Sequence, residues 1–482
     1  MRQVRIHNNL TGKKDLLQTQ KTGVVHFYSC GPTTYDFAHV GNARAFVVGD
    51  LIHRCLKVLG YQVVFVRNFT DVDDKIIKAA NEKKISAKEH ADLFVKECLQ
   101  DMNELKMLAP DHMPRVSECM PEIIEMIQKI IENGAGYKVD GEVFFHVPTK
   151  SDYGKLSKKD LQSLEHGKRV EVDQRKKHPA DFVLWKPAKD GEPAWESPWG
   201  SGRPGWHIEC SAMAKKYLGA SIDLHHGGVD LMFPHHENEI AQSEAANQCS
   251  FCQQWVHNEF LNFGSEKMSK SLGNVLTIRQ FTEKYSGLIL RMILISVHYR
   301  AKLDWSEEII AKAVNDLQRI HTFTQELNDF LAKSISVNGK DFTPQLKNYR
   351  EKMLDFLASD FNSAGFLAEY FSLIRFVRRE VLVGDVSVQS GEMLNELQQL
   401  LSDALGVLEE PREVLEKLAQ LGRTQDSSLQ EIEDKEIEKL LLQRAEAKKN
   451  KDYSKADEIR KHLSDQGVQV KDKPDGSWTW SR

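Results

Sequence analysis

Val24-Val25-His26-Phe27-Tyr28-Ser29-Cys30 is a short apolar run that stops at Gly31-Pro32, and its length and the breakers behind it read as a buried strand. From His39 to Leu59 the apolar residues recur at helical spacing, and Gly60 closes the segment. Val63-Val64-Phe65-Val66-Arg67 then reads as a second strand. Strand, helix and strand in succession make a βαβ unit, which predicts a parallel sheet. Ligands of such sheets sit at the carboxyl ends of the strands. Cys30, His39 and the stretch Asn68 to Asp74 are therefore expected beside one another.

Residues 120–200 interrupt the pattern with one helix (Pro121 to Glu132), then charged, turn-rich sequence with three tryptophans. They read as an insertion between residues 1–119 and 201–306, the two halves of the sheet domain, whose strand signal resumes at Ile222-Asp223-Leu224. From Glu307 to about Leu421 the pattern is almost wholly helical, with closely spaced apolar positions from Leu354 to Phe376, which predicts a helix bundle over 307–422 packing its own core. Gly422 to Ser428 reads as a linker. Glu431 to Arg482, within a last domain at 423–482, opens with a charged helix and ends in a strand at Trp478-Thr479-Trp480.

The net charge of −5 over 482 residues excludes a globally basic nucleic-acid binder, so any such surface is a local patch. No apolar run is long enough to span a bilayer, and the polar stretch Met1 to Leu10 lacks the apolar segment of a signal peptide. Seven cysteines in so long a chain do not read as a disulfide framework. A reducing, cytoplasmic setting without a membrane partner is expected, with the chain a monomer.

His39-Val40-Gly41-Asn42 stands at the start of the first long helix, where exposed N–H groups and the helix dipole favour a phosphate. Gly41 lets a ring approach the backbone, and His39 and Asn42 offer donors. The bland alternative is an ordinary capped helix start. Lys267-Met268-Ser269-Lys270-Ser271 follows Asn262-Phe263-Gly264. Lys267 and Lys270 are two cations able to neutralise a departing pyrophosphate, unless the loop is plain solvated surface. Neither a Walker loop nor the dinucleotide glycine fingerprint is present.

His235 and Glu239 are four apart and share a helix face. With Cys30 and Cys210 they make a four-ligand zinc set. A rival set joins Cys249 and Cys252 to Cys210 and a histidine. Spacing alone leaves both open, and any single cysteine also reads as a small buried hydrophobe.

Taken together, these pieces resemble the cysteinyl-tRNA synthetases, class I aminoacyl-tRNA synthetases, from about Val24 to the C-terminus. The resemblance rests on Cys30-Gly31-Pro32-Thr33 through Asn42, Asn68-Phe69-Thr70-Asp71-Val72-Asp73-Asp74-Lys75, Gly205-Trp206-His207-Ile208-Glu209-Cys210, Phe233-Pro234-His235-His236-Glu237-Asn238-Glu239 and the Lys267–Ser271 loop. Asn42 departs from the general class I pattern, which more often has a second histidine there. The resemblance implies a class I Rossmann-type α/β catalytic domain with an insertion, then an α-helical bundle and a small C-terminal α+β domain. It implies one zinc per chain on Cys30, Cys210, His235 and Glu239, which leaves Cys249 and Cys252 outside the site. It also implies ATP with Mg2+, with Lys270 the key loop contact, and L-cysteine and tRNA(Cys) as partners. Thr70 and Trp206 would hold the substrate cysteine, and Asp230 the ATP ribose or adenine region, unless Asp230 is simply a turn residue.

The expected reaction forms cysteinyl-adenylate and then charges the tRNA, with His39, Asn42, Lys267 and Lys270 stabilising charge. A soft metal that reads sulfur discriminates cysteine from serine where pocket shape alone cannot, so no editing domain is expected. Residues 444–482 carry ten Lys or Arg against seven Asp or Glu, and with Trp478 and Trp480 they suit a single-stranded anticodon reader. The alternative there is a small domain with a tryptophan core. The alternative for the whole chain is a cysteine ligase of the same core that passes cysteine to an amino sugar, and the tail from Glu431 argues against it.

Overall fold

In the computed structural model the chain opens on a hairpin, β1 (Arg5–Asn8) and β2 (Lys13–Leu16), and continues through β3 (Val24–Ser29), α1 (Val40–Val58), β4 (Gln62–Arg67), α2 (Asp74–Lys83), α3 (Ala87–Glu104) and α4 (Met120–Glu132). Then come β5 (Gly136–Val139), β6 (Glu142–Phe145), β7 (Phe182–Pro187), β8 (Gly202–Pro204), α5 (Trp206–Leu218), β9 (Ile222–Gly228), α6 (Glu237–Asn247) and β10 (Cys252–Asn258). β11 (Leu261–Phe263), β12 (Glu266–Lys267), α7 (Ile278–Lys284), α8 (Gly287–Ile295) and β13 (Leu303–Trp305) lead into α9 (Glu307–Leu331), β14 (Ile335–Lys340), α10 (Thr343–Ala358), α11 (Ser363–Phe376) and α12 (Val388–Leu405). Near the C-terminus β15 (Gln469–Asp472) pairs antiparallel with β16 (Trp478–Ser481). The structure describes residues 1–160, 173–263, 266–267, 276–408, 440–445, 447, 455–456, 459, 463, 469–472 and 478–481. The chain divides into two units, Met1–Glu410 and Pro411–Arg482. Lys270, the segment Gly422 to Ser428 and the side chains of Lys267, Trp478 and Trp480 lie outside what is described.

The expected βαβ unit is present. β3, β4, β9 and β10 form a sheet in the order β10-β9-β3-β4, and every neighbouring pair is parallel. Val25, Phe27, Tyr28, Phe65 and Val66 are buried with no solvent exposure, as strands covered on both faces require. The register sets Tyr28 beside His225, Ser29 beside His226, and His225 beside Trp255. α1 is capped at its start by His39 and buried along much of its circumference. One close approach needs a glycine: a Cβ on Gly31 would lie 1.6 Å from the Asn68 carbonyl oxygen, so the chain leaving β3 can press on the chain leaving β4.

The insertion is more regular than its turn-rich sequence suggests. β5 to β8 form an antiparallel sheet around buried Phe144, Phe145 and Trp185. β5 and β6 are joined through Asp140-Gly141, both at positive φ (50° and 82°), the two-residue turn that suits a hairpin's twist. The expectation of almost unbroken helix after Glu307 needs correction: β14 intervenes. Ser334-Ile335-Ser336-Val337 alternates polar and apolar residues, which is strand periodicity, and the segment wraps buried Val386 through Ser334, Asp385 and Lys340 backbone hydrogen bonds.

Candidate active site

At the carboxyl ends of the strands lies a cleft of about 510 Å³, lined among others by Cys30, His39, Gly41, Asn42, Thr70, Trp206, Cys210, Asp230 and His235. These come from four separate stretches of sequence. The parallel order of β9, β3 and β4 makes the loops after them neighbours, which brings three of the stretches together; the fourth, with Trp206 and Cys210, is the start of α5, the helix that leads into β9.

His39 is the N-cap of α1. Its Nδ1 accepts from the Asn42 N–H at 3.1 Å, and the Asn42 side-chain oxygen accepts from the His39 N–H at 3.1 Å, a reciprocal capping box. With Nδ1 used as an acceptor, the neutral ring carries its proton on Nε2. This also accounts for asparagine at position 42: its carbonyl closes the cap, and its amide nitrogen remains a donor at the helix N-terminus.

Cys30 follows β3 directly, and its N–H donates to the His226 carbonyl at 3.1 Å. Cys210 sits in the first turns of α5, and His235 and Glu239 lie on the turn into α6 and on its first turn. The ligand atoms of Cys30, Cys210, His235 and Glu239 all fall within 4.8 Å of one another. His235 Nε2 is 3.1 Å from Glu239 Oε1. A second group, Cys30, His225, His236 and Glu239, meets the same limit and shares two members with the first. Cys30 Sγ is 3.3 Å from His236 Nε2, and His225 Nε2 is 2.9 Å from Glu239 Oε2. Only the first group reaches the cleft through a second thiol, since Cys210 and His235 line it and His225 and His236 do not. Cys249 and Cys252 belong to neither group: Cys249 is exposed, and Cys252 is buried with its Sγ 3.2 Å from the Gln254 carbonyl.

The electrostatics suit a cation. Hydrogen bonding from Cys30, then His235, holds the Cys210 thiol down to about 6 against burial, while burial and then Cys210 push Cys30 well above its usual range. The two sulfurs are thus pushed in opposite directions. Burial works against Glu239, but His225 and His235 hold its carboxyl down to about 2. A second thiolate here is resisted by low dielectric and like charge, the penalty a divalent cation removes.

Trp206 opens α5 and is 42% exposed; its ring stacks on His235 at 4.4 Å between centroids. Thr70 is buried, with its hydroxyl 3.3 Å from Glu209 Oε2. Asp230 lies in the short turn after β9. Lys267 is in β12 and Lys270 lies outside the described residues. Sequence reasoning did not single out Tyr35, Phe37, Lys75 or Glu209 as site residues. The first three line the cleft, and Glu209 backs Thr70 from a fully buried position where burial, then Cys210, raise its carboxyl well above the usual range.

Residues 16–315 match the family described as tRNA synthetases class I (C) catalytic domain. The chain belongs to that family. Residues 433–480 of this class I synthetase match the cysteinyl-tRNA ligase anticodon binding domain. It is 42% identical over 501 residues to a cysteine–tRNA ligase of Geotalea uraniireducens, covering 99% of each chain. It is equally identical to that of Carboxydothermus hydrogenoformans, over 99% of this chain and all of the other. Methionyl-tRNA synthetase of Mycobacterium tuberculosis in complex with methionyl-adenylate shares the fold, with TM-score 0.61 and 15% identity over 83% of this chain and 94% of that one. Among the described residues no helix is long and apolar enough to cross a membrane.

Proposed function

We propose that this synthetase is an ATP-dependent cysteine–tRNA ligase. The observation that carries the reading is a single cleft lined both by the His39-capped start of α1 and by a buried donor set with two thiols. Relatives named cysteine–tRNA ligase that match over 99% of the chain support the same conclusion.

In the first step the cysteine carboxylate oxygen attacks the α-phosphorus of ATP, the bond to the β-phosphate breaks, and pyrophosphate leaves. In the second, the terminal ribose hydroxyl of tRNA(Cys) attacks the acyl carbon, loses its proton, and AMP leaves. His39 Nε2–H, the Asn42 amide and the α1 dipole are the donors for the α-phosphate, and Gly41 leaves room for the nucleotide. Lys267 and Lys270 balance charge on the departing pyrophosphate, with Mg2+ on the phosphates. Asp230 serves the ribose side. Such fixed donors stabilise a charge that grows in the transition state. Thr70 and Trp206 border the amino acid.

Cys30, Cys210, His235 and Glu239 are the residues that would hold zinc, because this group opens on the cleft and offers two sulfurs. Zinc bound there would supply a soft ligand site that rewards a thiol over a hydroxyl. The chain's own contribution is to bury and orient the four donors and to stack Trp206 over His235.

The test is attachment of labelled cysteine to total tRNA, with serine alongside. Charging with cysteine and not serine is expected. Cysteine-dependent ATP–pyrophosphate exchange without charging would overturn the tRNA step and favour transfer to a small acceptor.

A further inference from the structure

The cleft has a further wall, made of residues other than those assigned above to ATP and cysteine. The segment between β3 and α1 presents Tyr35 and Phe37 to it, and α2 and α3 supply Lys75 and Phe94. Each aromatic on this wall carries a cation. Lys75 Nζ lies 5.2 Å from the Tyr35 ring centre, the Arg279 guanidinium 4.8 Å from Phe37, and Lys83 Nζ 4.9 Å from Phe94. The segment is held down from behind. His90 Nε2 is 2.8 Å from the Tyr35 carbonyl oxygen, and Phe94 meets Phe37 edge to face at 5.2 Å. Arg279, at the start of α7, is itself fixed to Glu97 and Asp101 of α3.

Phe37 is nevertheless 37% exposed. Its ring is held by Phe94 and Arg279 and its exposed part borders the cleft. The outer face of α2 adds exposed Lys75, Lys78 and Lys83 beside Asp74 and Glu82, while Ile76, Ile77 and Ala80 turn inward. Asp36 is the exposed acid on the segment. The sheet order sets the α2–α3 part of this wall apart from the far side of the cleft: α2 and α3 follow β4 at one edge, whereas Gly228 and Asn258 end β9 and β10 and Asp230 follows β9.

We propose that this wall guides the single-stranded 3′ end of the tRNA into the cleft, with a base stacked on Phe37 and a backbone phosphate on Lys75. An exposed aromatic ring beside lysines suits an unpaired strand, because every base has a π-face and every linkage a charge. The inference rests on the proposed ligase activity and names positioning residues for its second step.

The experiment compares cysteine-dependent ATP–pyrophosphate exchange, which needs no tRNA, with cysteinylation over a range of tRNA concentrations. Phe37→Leu is expected to lower kcat/KM for tRNA about tenfold or more, the scale of one lost base–aromatic stack, and Phe37→Tyr to restore it. Lys75→Gln is expected to raise KM for tRNA and flatten its dependence on log salt by about 0.7, one phosphate contact to a single strand. Exchange, with its KM values for ATP and cysteine, should not follow these losses. A parallel fall in exchange would assign the wall to ATP, to cysteine or to the fold, and cysteinylation like wild type in Phe37→Leu would remove the strand from it; either result overturns the proposal. A wild type that neither exchanges nor charges would instead overturn the ligase reading beneath it.

Discussion

The backbone of Thr277 pairs with that of His39 in an antiparallel bridge. Val40 N–H donates to the Leu276 carbonyl at 3.0 Å, and Ile278 N–H donates to the Ala38 carbonyl at 2.9 Å. Thr277 is also the N-cap of α7, its hydroxyl accepting from Gln280 N–H at 3.1 Å. The chain that has just carried Lys267 and Lys270 therefore rejoins the described fold on the first turn of α1, and two helix starts are registered against each other at the cleft.

Val40→Pro tests that registration. Val40 is the first helical residue of α1 and His39 is extended (φ −101°, ψ 165°), a setting that accepts proline. The substitution removes one hydrogen bond, to Leu276, and leaves the capping box intact. Stability should fall by more than the ~1 kcal/mol of that hydrogen bond, because the ring Cδ meets the Leu276 carbonyl and the pairing must open, and pyrophosphate exchange should drop about tenfold or more through misplacement of the two helix starts. Thermal melting and exchange on one sample measure both. Equal exchange in variant and wild type would show that the bridge has no part in catalysis.

Asp50 governs a second junction. Its carboxylate accepts from Arg54 Nε at 2.9 Å, Arg291 Nη2 at 2.5 Å and Leu108 N–H at 2.8 Å. The two arginines also cap the end of α12 through the Ser402, Asp403 and Leu405 carbonyls. Burial opposes ionisation of Asp50, but Arg291 and Arg54 outweigh it and hold the carboxyl below its usual range. A depressed acid contributes stability above its unfolded value, near pH 4, and loses it as pH falls through the folded value. Asp50→Asn should therefore destabilise by about 3–5 kcal/mol at neutral pH by leaving two buried cations unpaired. That deficit should shrink only in acid, below the unfolded value. Urea midpoints for both proteins across the acid range provide the check, and a deficit that grew on acidification would contradict the sign.

Trp206 is half-exposed yet stacked on His235. Trp206→Ala should raise the KM for cysteine about 2- to 12-fold, the range of a lost aromatic stack, with little change in the KM for ATP. Trp206→Phe should recover most of it. A larger effect on ATP would move Trp206 to the nucleotide side.

Much of this was legible locally. Apolar runs bounded by Gly31-Pro32 and Gly60 mark β3, α1 and β4, and the four-residue spacing of His235 and Glu239 places them on one face. What was not legible depends on pairing between distant segments. His225 reaches Glu239 because the register sets it beside Tyr28 and Trp255, and no short-range pattern encodes a register. Cys249 and Cys252 have metal-like spacing, but Cys252 begins a buried strand while Cys249 stays in the exposed turn before it. β14 hid because its alternating residues lie in a stretch dominated by helix formers.

The two donor groups share Cys30 and Glu239 but differ in Cys210 and His235 against His225 and His236. If zinc occupies the group open to the cleft, Cys210→Ala removes a ligand, and the variant should emerge from dialysis against a weak chelator without metal. His236 touches Cys30 through Nε2 and His257 through Nδ1 at 2.8 Å, so it would act as an outer partner that orients Cys30. His236→Ala should then retain zinc, with affinity lowered about 10- to 100-fold. Atomic absorption gives the stoichiometry of each variant, and a zinc-dependent rise in melting temperature gives a readout independent of catalysis. The opposite order, with zinc lost from His236→Ala and kept by Cys210→Ala, would move the ion to the deeper group. The second sulfur would then be absent from its ligands, and selection of a thiol would have to come from Trp206 and Thr70 instead.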